Sequence, residues 1–180
     1  GEVTTSFEST KAVQTIGKFA TIGNKVLGAG AFVVAVPTAT SGLPVTLSVK
    51  SGPATTSGST VTLTGAGVVV LAANQSGDAS VGAASEVTTS FLVTKASQTI
   101  GDFPSIASKL GGTGSFQIRT PVATSGLAVV LSVKSGPATL SKDTLTVTGA
   151  GMVVLAANQE GNADYNKAPE ITTSFEVQEG

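Results

Sequence analysis

The sequence predicts an all-β chain built as two tandem β-sandwiches, and three observations carry the prediction. A long stretch of sequence occurs twice. Short runs alternate apolar and polar residues with period two. Gly, Pro, Ser and Asn punctuate those runs. The repeat organises the rest. Ser41-Gly-Leu-Pro-Val recurs as Ser125-Gly-Leu-Ala-Val, and Ser51-Gly-Pro-Ala-Thr as Ser135-Gly-Pro-Ala-Thr, a period of 84. Glu2–Ser85 aligns with Glu86–Pro169 without a gap, and about 50 of the 84 positions are identical. A third copy begins at Glu170-Ile-Thr-Thr-Ser-Phe. A period this long exceeds one turn of a solenoid and fits beads that each bury their own core. At this size each core is modest.

Within a copy the signals are β throughout. Phe116, Ile118 and Thr120 alternate with Gln117 and Arg119; Leu127, Val129, Leu131 and Val133 with Ala128, Val130, Ser132 and Lys134; Val87, Thr89, Phe91 and Val93 with Thr88, Ser90 and Leu92. Such alternation of β-branched residues is the half-buried strand pattern. Met152 to Ala157 is apolar throughout, as a central strand covered on both sides would be. Thr124-Ser-Gly, Lys134-Ser-Gly-Pro and Thr148-Gly-Ala-Gly fall between runs, where positive φ and a fixed proline φ make turns. The second copy predicts seven strands near 96–101, 115–121, 127–134, 137–140, 143–148, 151–158 and 170–178. Seven short strands with a turn every 8–12 residues predict an immunoglobulin-like sandwich. The expected organisation is residues 1–9 as the closing strand of a preceding repeat or a frayed terminus, 10–93 as the first domain and 94–180 as the second. No Gly/Ser linker separates the two, which limits their relative freedom.

Composition excludes several classes of function. Charged residues are 12% of the chain and the formal net charge is −1, without the clustered basic face that nucleic acid requires. Cys is absent, so neither disulfides nor thiolate chemistry arise. The mean hydropathy of +0.33 is positive, but the apolar runs are far shorter than the roughly 20 residues of a spanning helix, so no membrane insertion is expected. The chain reads as an excised piece beginning at Gly1, so targeting signals are not informative.

Several motifs in fixed order carry a resemblance. Gln-Thr-Ile (14–16, 98–100) precedes Ser-Gly-Leu-x-Val, Ser-Gly-Pro-Ala-Thr and Thr-Gly-Ala-Gly. Ala157-Asn-Gln-Glu-Gly-Asn-Ala-Asp-Tyr-Asn-Lys-Ala-Pro follows, and Ser-Phe-x-Val closes the unit. The chain resembles the bacterial Ig-like repeat modules of large secreted or cell-surface proteins. The resemblance implies a sandwich of stalk or adhesin type, at the cell surface or outside the cell, with neighbouring Ig-like repeats as partners and no catalytic residues or cofactors. The first copy departs from the motif at Gly77-Asp-Ala-Ser-Val-Gly-Ala-Ala-Ser.

The chemistry-bearing residues support that expectation. His and Cys are both missing, which removes the commonest general base, the thiol nucleophile and the usual transition-metal ligands, so no enzyme is expected. The Phe residues fall in repeat register (Phe7/Phe91/Phe175, Phe19/Phe103, Phe32/Phe116) and read as core. Asn162, Asp164 and Asn166 are candidate oxygen ligands for Ca²⁺, but the spacing matches no defined calcium loop, and turn formation is the plainer reading. Tyr165 is expected to anchor its loop in the manner of a tyrosine corner. Lys95, Asn158 and Glu170, with Lys11, Asn74 and Glu86, supply the residue types of an intramolecular amide cross-link; solvated strand-end residues are the plainer reading. Val33 and Ala35, where the second copy has Gln117 and Arg119, make the first unit's outer face more apolar. The expected function is a structural spacer. The alternative is a protein- or glycan-binding adhesion module that uses loop 160–169 or a sheet edge.

Overall fold

The computed structural model describes residues 1–6 and 8–180. The chain divides into two compact units, Gly1–Lys95 and Ala96–Gly180. The first holds β1 (Lys25–Val26), β2 (Phe32–Val33), β3 (Thr46–Ser51), β4 (Ala54–Ser57), β5 (Thr60–Leu63), β6 (Gly67–Asn74) and β7 (Val87–Thr94). The second holds β8 (Lys109–Leu110), β9 (Ser115–Gln117), β10 (Val130–Ser135), β11 (Ala138–Ser141), β12 (Thr144–Val147), β13 (Gly151–Asn158) and β14 (Ile171–Gln178). No helix occurs among the described residues, and hence none long and apolar enough to cross a membrane.

Each unit is an immunoglobulin-like sandwich. One sheet of the first unit runs β1-β7-β6-β3 and the other β2-β5-β4. The second unit repeats this as β8-β14-β13-β10 and β9-β12-β11. The last, sixth and third strands share one sheet and the second, fifth and fourth the other, which is the immunoglobulin division of strands. The short first strand joins the last one in parallel, Lys25 opposite Val93 and Lys109 opposite Val177.

The core follows from the alternation. Val69, Leu71 and Ala73 of β6 point between the sheets and are buried, while Val68 faces water. Val69 and Leu71 pack with Val34, Leu47, Val61, Phe91 and Val93, and Ala73 packs with Ile16 and Ala39. Ile118, Leu145, Val153, Leu155, Phe175 and Val177 form the equivalent core of the second unit. Burying one such side chain contributes roughly 1.5–3 kcal/mol before the entropy of ordering it is counted. Phe32 meets Phe91 edge-on at 5.6 Å between centroids, and Phe116 meets Phe175 at 6.1 Å. Lys25 and Lys109 cap the Phe32 and Phe116 rings at 4.6 and 4.7 Å. Phe19 and Phe103 pack partly buried against these cores. Phe7 lies outside the described residues, and the reading of 1–9 as a closing strand therefore falls partly outside them; residues 1–6 and 8–11 are exposed and make no ladder.

The strand expected over 115–121 ends at Gln117, the short strand β8 lies where none is expected, and three further local features differ from the sequence expectation. Residues 96–101 make no regular strand but two isolated bridges, Ala96 with Tyr165 and Ile100 with Ala123. The segment changes partner within five residues, from the β13–β14 connection to the segment after β9, so no single ladder can form. The strand expected from 127 starts at Val130, because the carbonyl of Ala128 is taken by the side chain of Gln159 (3.3 Å). The apolar run in β13 is not covered evenly: Met152 is exposed, while Ala156 on the same outer face is buried.

Where the chain crosses between sheets, backbone meets backbone. β3 and β10 end in a register shift, after Val49 and Val133 respectively. Gly52 and Gly136 follow with φ of +101° and +103°, and a methyl group on either would overlap the carbonyl oxygen of Val68 or Met152. At the next turn the copies diverge: Gly58 has φ +57°, and its counterpart Lys142 holds φ +55°. Gly136→Ala should lower the second unit's unfolding free energy by roughly 2 kcal/mol or more. Lys142→Gly should raise it by about 1 kcal/mol. Denaturant unfolding of the two variants checks both signs.

Candidate functional site

In the loop between β13 and β14, residues 160–169, the copies differ in chemistry while keeping equivalent backbone hydrogen bonds. The loop starts from Gln159, which is buried at the end of β13. The Gln159 Oε1 accepts the Gly161 N–H and the Gln98 Nε2–H (2.7 Å to Gln98), and its Nε2 donates to the Ala128 carbonyl. Gly161 takes φ +78°, where a methyl group would overlap the Tyr165 carbonyl. The Asn162 Oδ1 then accepts the N–H groups of Asp164 (2.8 Å) and Tyr165 (2.9 Å), a side-chain-closed turn. The Ala96 N–H donates to the Asp164 carbonyl (2.8 Å), and the Asn166 N–H to the Ala96 carbonyl (2.9 Å). Gln98 Nε2 also donates to the Asn166 carbonyl (2.7 Å), and its Oε1 accepts the Ser125 hydroxyl.

The first unit builds the same loop on other side chains. Gln75 and Gln14 stand for Gln159 and Gln98, with Gln14 Nε2 at 2.7 Å from both Gln75 Oε1 and the Gly82 carbonyl. Asp78 Oδ1 accepts from Ser80 (2.7 Å) and Val81 (2.8 Å). Val81 thus makes the backbone bonds that Tyr165 makes, so the loop is fixed through its main chain. This corrects the expectation that Tyr165 anchors it as a tyrosine corner would. What the second unit adds is surface: Glu160, Asp164, Tyr165 and Lys167 in place of Ser76, Ser80, Val81 and Ala83, with Lys167 and Glu160 paired at 2.7 Å in full view of water.

Asn162, Asp164 and Asn166 are brought into one loop, but the Asn162 Oδ1 and the carbonyls of Asp164 and Asn166 are engaged in closing it. Among the described residues no group of three or more His, Cys, Asp or Glu could hold a metal ion.

The acidic position at the start of each closing strand has a definite role. Glu86 pairs with Lys50 and accepts from Asn74 Nδ2 (3.3 Å); Glu170 does the same with Lys134 and Asn158 (3.2 Å). The register sets Lys50 near Val70 and Glu86 beside Asn74, so the pair crosses β6 diagonally over Ala72. Ala72 and Ala156 are buried on the outer face for that reason, and their small size leaves room for the bridge. The lysines in the cluster are not Lys11 or Lys95; Lys11 Nζ donates to the Asp78 carbonyl at 2.6 Å. Hydrogen bonds from Lys50 and Asn74 hold the Glu86 carboxyl below its ordinary range, and those from Lys134 and Asn158 do so for Glu170. Amide cross-linking needs a neutral amine and a protonated carboxyl in a dry site. These carboxylates are ionised and a third exposed, so the cluster is an ion-pair brace. Intact mass should match the sequence; loss of one ammonia per unit would contradict this.

No protein-family model matches the sequence, and no curated protein matches it. Among solved structures the chain is similar to the first three extracellular domains of Drosophila N-cadherin, with 11% identity, 93% of this chain, 68% of that one and a TM-score of 0.36. It is similar to immunoglobulin domains 1–4 of Sidekick-1, with 11% identity, 93% and 48% coverage and a TM-score of 0.39. A SusE-like surface-located polysaccharide-binding protein of Bacteroides thetaiotaomicron matches at 15% identity, 91% and 34% coverage and a TM-score of 0.28. The chain therefore spans half or less of the last two. The sandwich assignment rests on the strand order and the two cores, not on these distant matches.

The depressed carboxyls set an acid response. Backbone hydrogen bonds from Ser80 and Val81 hold Asp78 below its ordinary 3.8, and Glu86 and Glu170 lie below 4.5. A carboxyl depressed on folding stabilises above its unfolded pKa, and that stabilisation is lost as pH falls through the folded one. Both units should lose melting temperature as pH falls below 4.5, and the first should lose more because Asp78 adds its share below 3.8. Asp78→Asn should remove the difference in a pH series of thermal melts.

Proposed function

We propose that this chain is a non-catalytic spacer of tandem immunoglobulin-like repeats in a bacterial surface or secreted protein, with further repeats of the same polypeptide as its neighbours. One observation carries the reading. Four internal braces occur in both copies at the same register: the glutamine pair, the closing ion pair, the phenylalanine pair and the crossing glycine. A repeated scaffold with repeated braces is what a spacer requires. The resemblance to bacterial Ig-like repeats supports the same role. We read residues 10–93 and 94–180 as the two domains and residues 1–9 as either the closing strand of a preceding repeat or a frayed terminus. The last ladder bond of the first unit reaches the Thr94 carbonyl from Leu27, and the first of the second leaves the Ala96 N–H, so Lys95 alone lies between. A junction that short restricts bending.

A second reading has its own support. Loop 160–169 carries Glu160, Asp164, Tyr165 and Lys167 on a backbone that the first copy builds with small residues. A groove of about 550 Å³ beside β10 recurs beside β3 at about 400 Å³, and the second unit lines it with Val130 and Leu140 where the first has Thr46 and Thr56. Under this reading the module binds an extracellular protein or glycan.

Small-angle scattering before and after a short Gly/Ser insertion behind Lys95 tests the spacer. The insertion should broaden the distribution of end-to-end lengths; an unchanged profile would mean that the junction is already free. In parallel, glycan-array binding by the second unit that disappears in Tyr165→Val would favour the adhesion module.

A further inference from the structure

The path by which the chain enters each unit is held at both its ends beside the path by which it leaves, while its middle bridges the segment after β2 or β9. In the second unit the entry path is residues 96–110. At its start Ala96 bridges Tyr165 in parallel. Two residues on, the buried Gln98 amide donates to Gln159 Oε1 and to the Asn166 carbonyl, and accepts from Ser125. At its end β8 pairs in parallel with β14, and the Gly111 N–H reaches the Gln178 carbonyl at 2.7 Å. Residues 165–178 run in the same direction. The first unit repeats the arrangement with Ala12 on Val81, Gln14 on Gln75 and Gly82, and Lys25 on Val93.

Two parallel paths with entry at one end and exit at the other respond to tension in one way. A pull on the termini drives them past each other, so the bonds between them are loaded together and not one after another. The backbone bonds near the ends of the path lie close to water, which can replace a partner as it slips. The glutamine amide is 4% exposed in both units, so no water stands ready to take over its bonds.

We infer that the chain bears tension, and that Gln14 and Gln98 are the load-bearing locks of their units. The inference deepens the spacer reading and rests on it for biological use; the lock itself is a property of the isolated chain.

Constant-force pulling tests it. The chain contains no Cys, so introduced cysteines give unique handles. With handles at Gly1→Cys and Gly180→Cys, the chain opens in two events, and Gln98→Leu should speed one of them roughly tenfold or more, with the unaltered unit as internal reference. With handles at Lys142→Cys and Glu179→Cys, the load bypasses residues 96–110, and the same substitution should change the second unit's opening by less than about threefold. Equal acceleration in both directions would reduce Gln98 to an ordinary structural residue, and no acceleration along the native direction would also overturn the lock. Should Gln98→Leu fail to fold, Ser125→Ala, which removes one donor to the same amide, should show the same directional contrast at smaller size. Glycan or protein binding by a chain whose lock passes these tests would count against the spacer role alone.

Discussion

The arrangement depends on a pair of glutamine side chains bonded to each other in the dry end of each sandwich. A buried amide without partners costs roughly 1–3 kcal/mol, and these cost nothing of the kind because each polar atom is used. Gln98 and Gln159 between them reach Ala128, Gly161, Asn166 and Ser125. One contact thereby ties the entry segment, the end of β13, the β13–β14 loop and the turn before β10. Among the described residues no buried side-chain nitrogen or oxygen lacks a partner. The loop's backbone course and the late start of β10 both follow from where those amides bond.

The two copies act as controls for each other. Asp78 and Asn162 close the same turn, so the charge is incidental to the geometry and matters only for acid response. Val81 and Tyr165 hold the same main-chain bonds, so the aromatic ring is surface chemistry laid on a fixed frame. Gly58 and Lys142 share a left-handed backbone that only one of them adopts without strain. Exposed apolar residues have moved between copies: Val33 is 72% exposed in the first unit and Val130 65% in the second, opposite Gln117 and Thr46 in the alignment. Braces are constant and surfaces vary, which is the pattern of a scaffold reused.

Much of the fold was legible because period-two alternation is a direct record of a half-buried sheet. Leu131, Val133, Phe91 and Val93 show their inward phase in the sequence alone. The buried glutamines carry no core signal of their own, since Gln is ordinarily a surface residue, although Gln14/Gln98 and Gln75/Gln159 stand in both copies at the edges of apolar runs. Their identity in both copies was the available signal. The sequence groups Glu86 and Glu170 with Asn74 and Asn158 and with Lys11 and Lys95, whereas the structure supplies Lys50 and Lys134. Lys50 and Lys134 reach the carboxylates only through the register shift at the end of β3 and β10, and no alternation pattern records such a shift. Loop 160–169 stood out by composition, whereas its rigidity came from main-chain bonds that composition does not reveal.

A sandwich fastened by amides instead of sulfur is indifferent to the redox state of its surroundings. Its weakness is chemical ageing. Hydrolysis of the Gln98 amide to an acid would replace a donor with an oxygen facing two other oxygens, Gln159 Oε1 and the Asn166 carbonyl. Close burial keeps water from that bond while the unit stays shut, so the working lifetime of such a repeat is set by how seldom its lower end breathes.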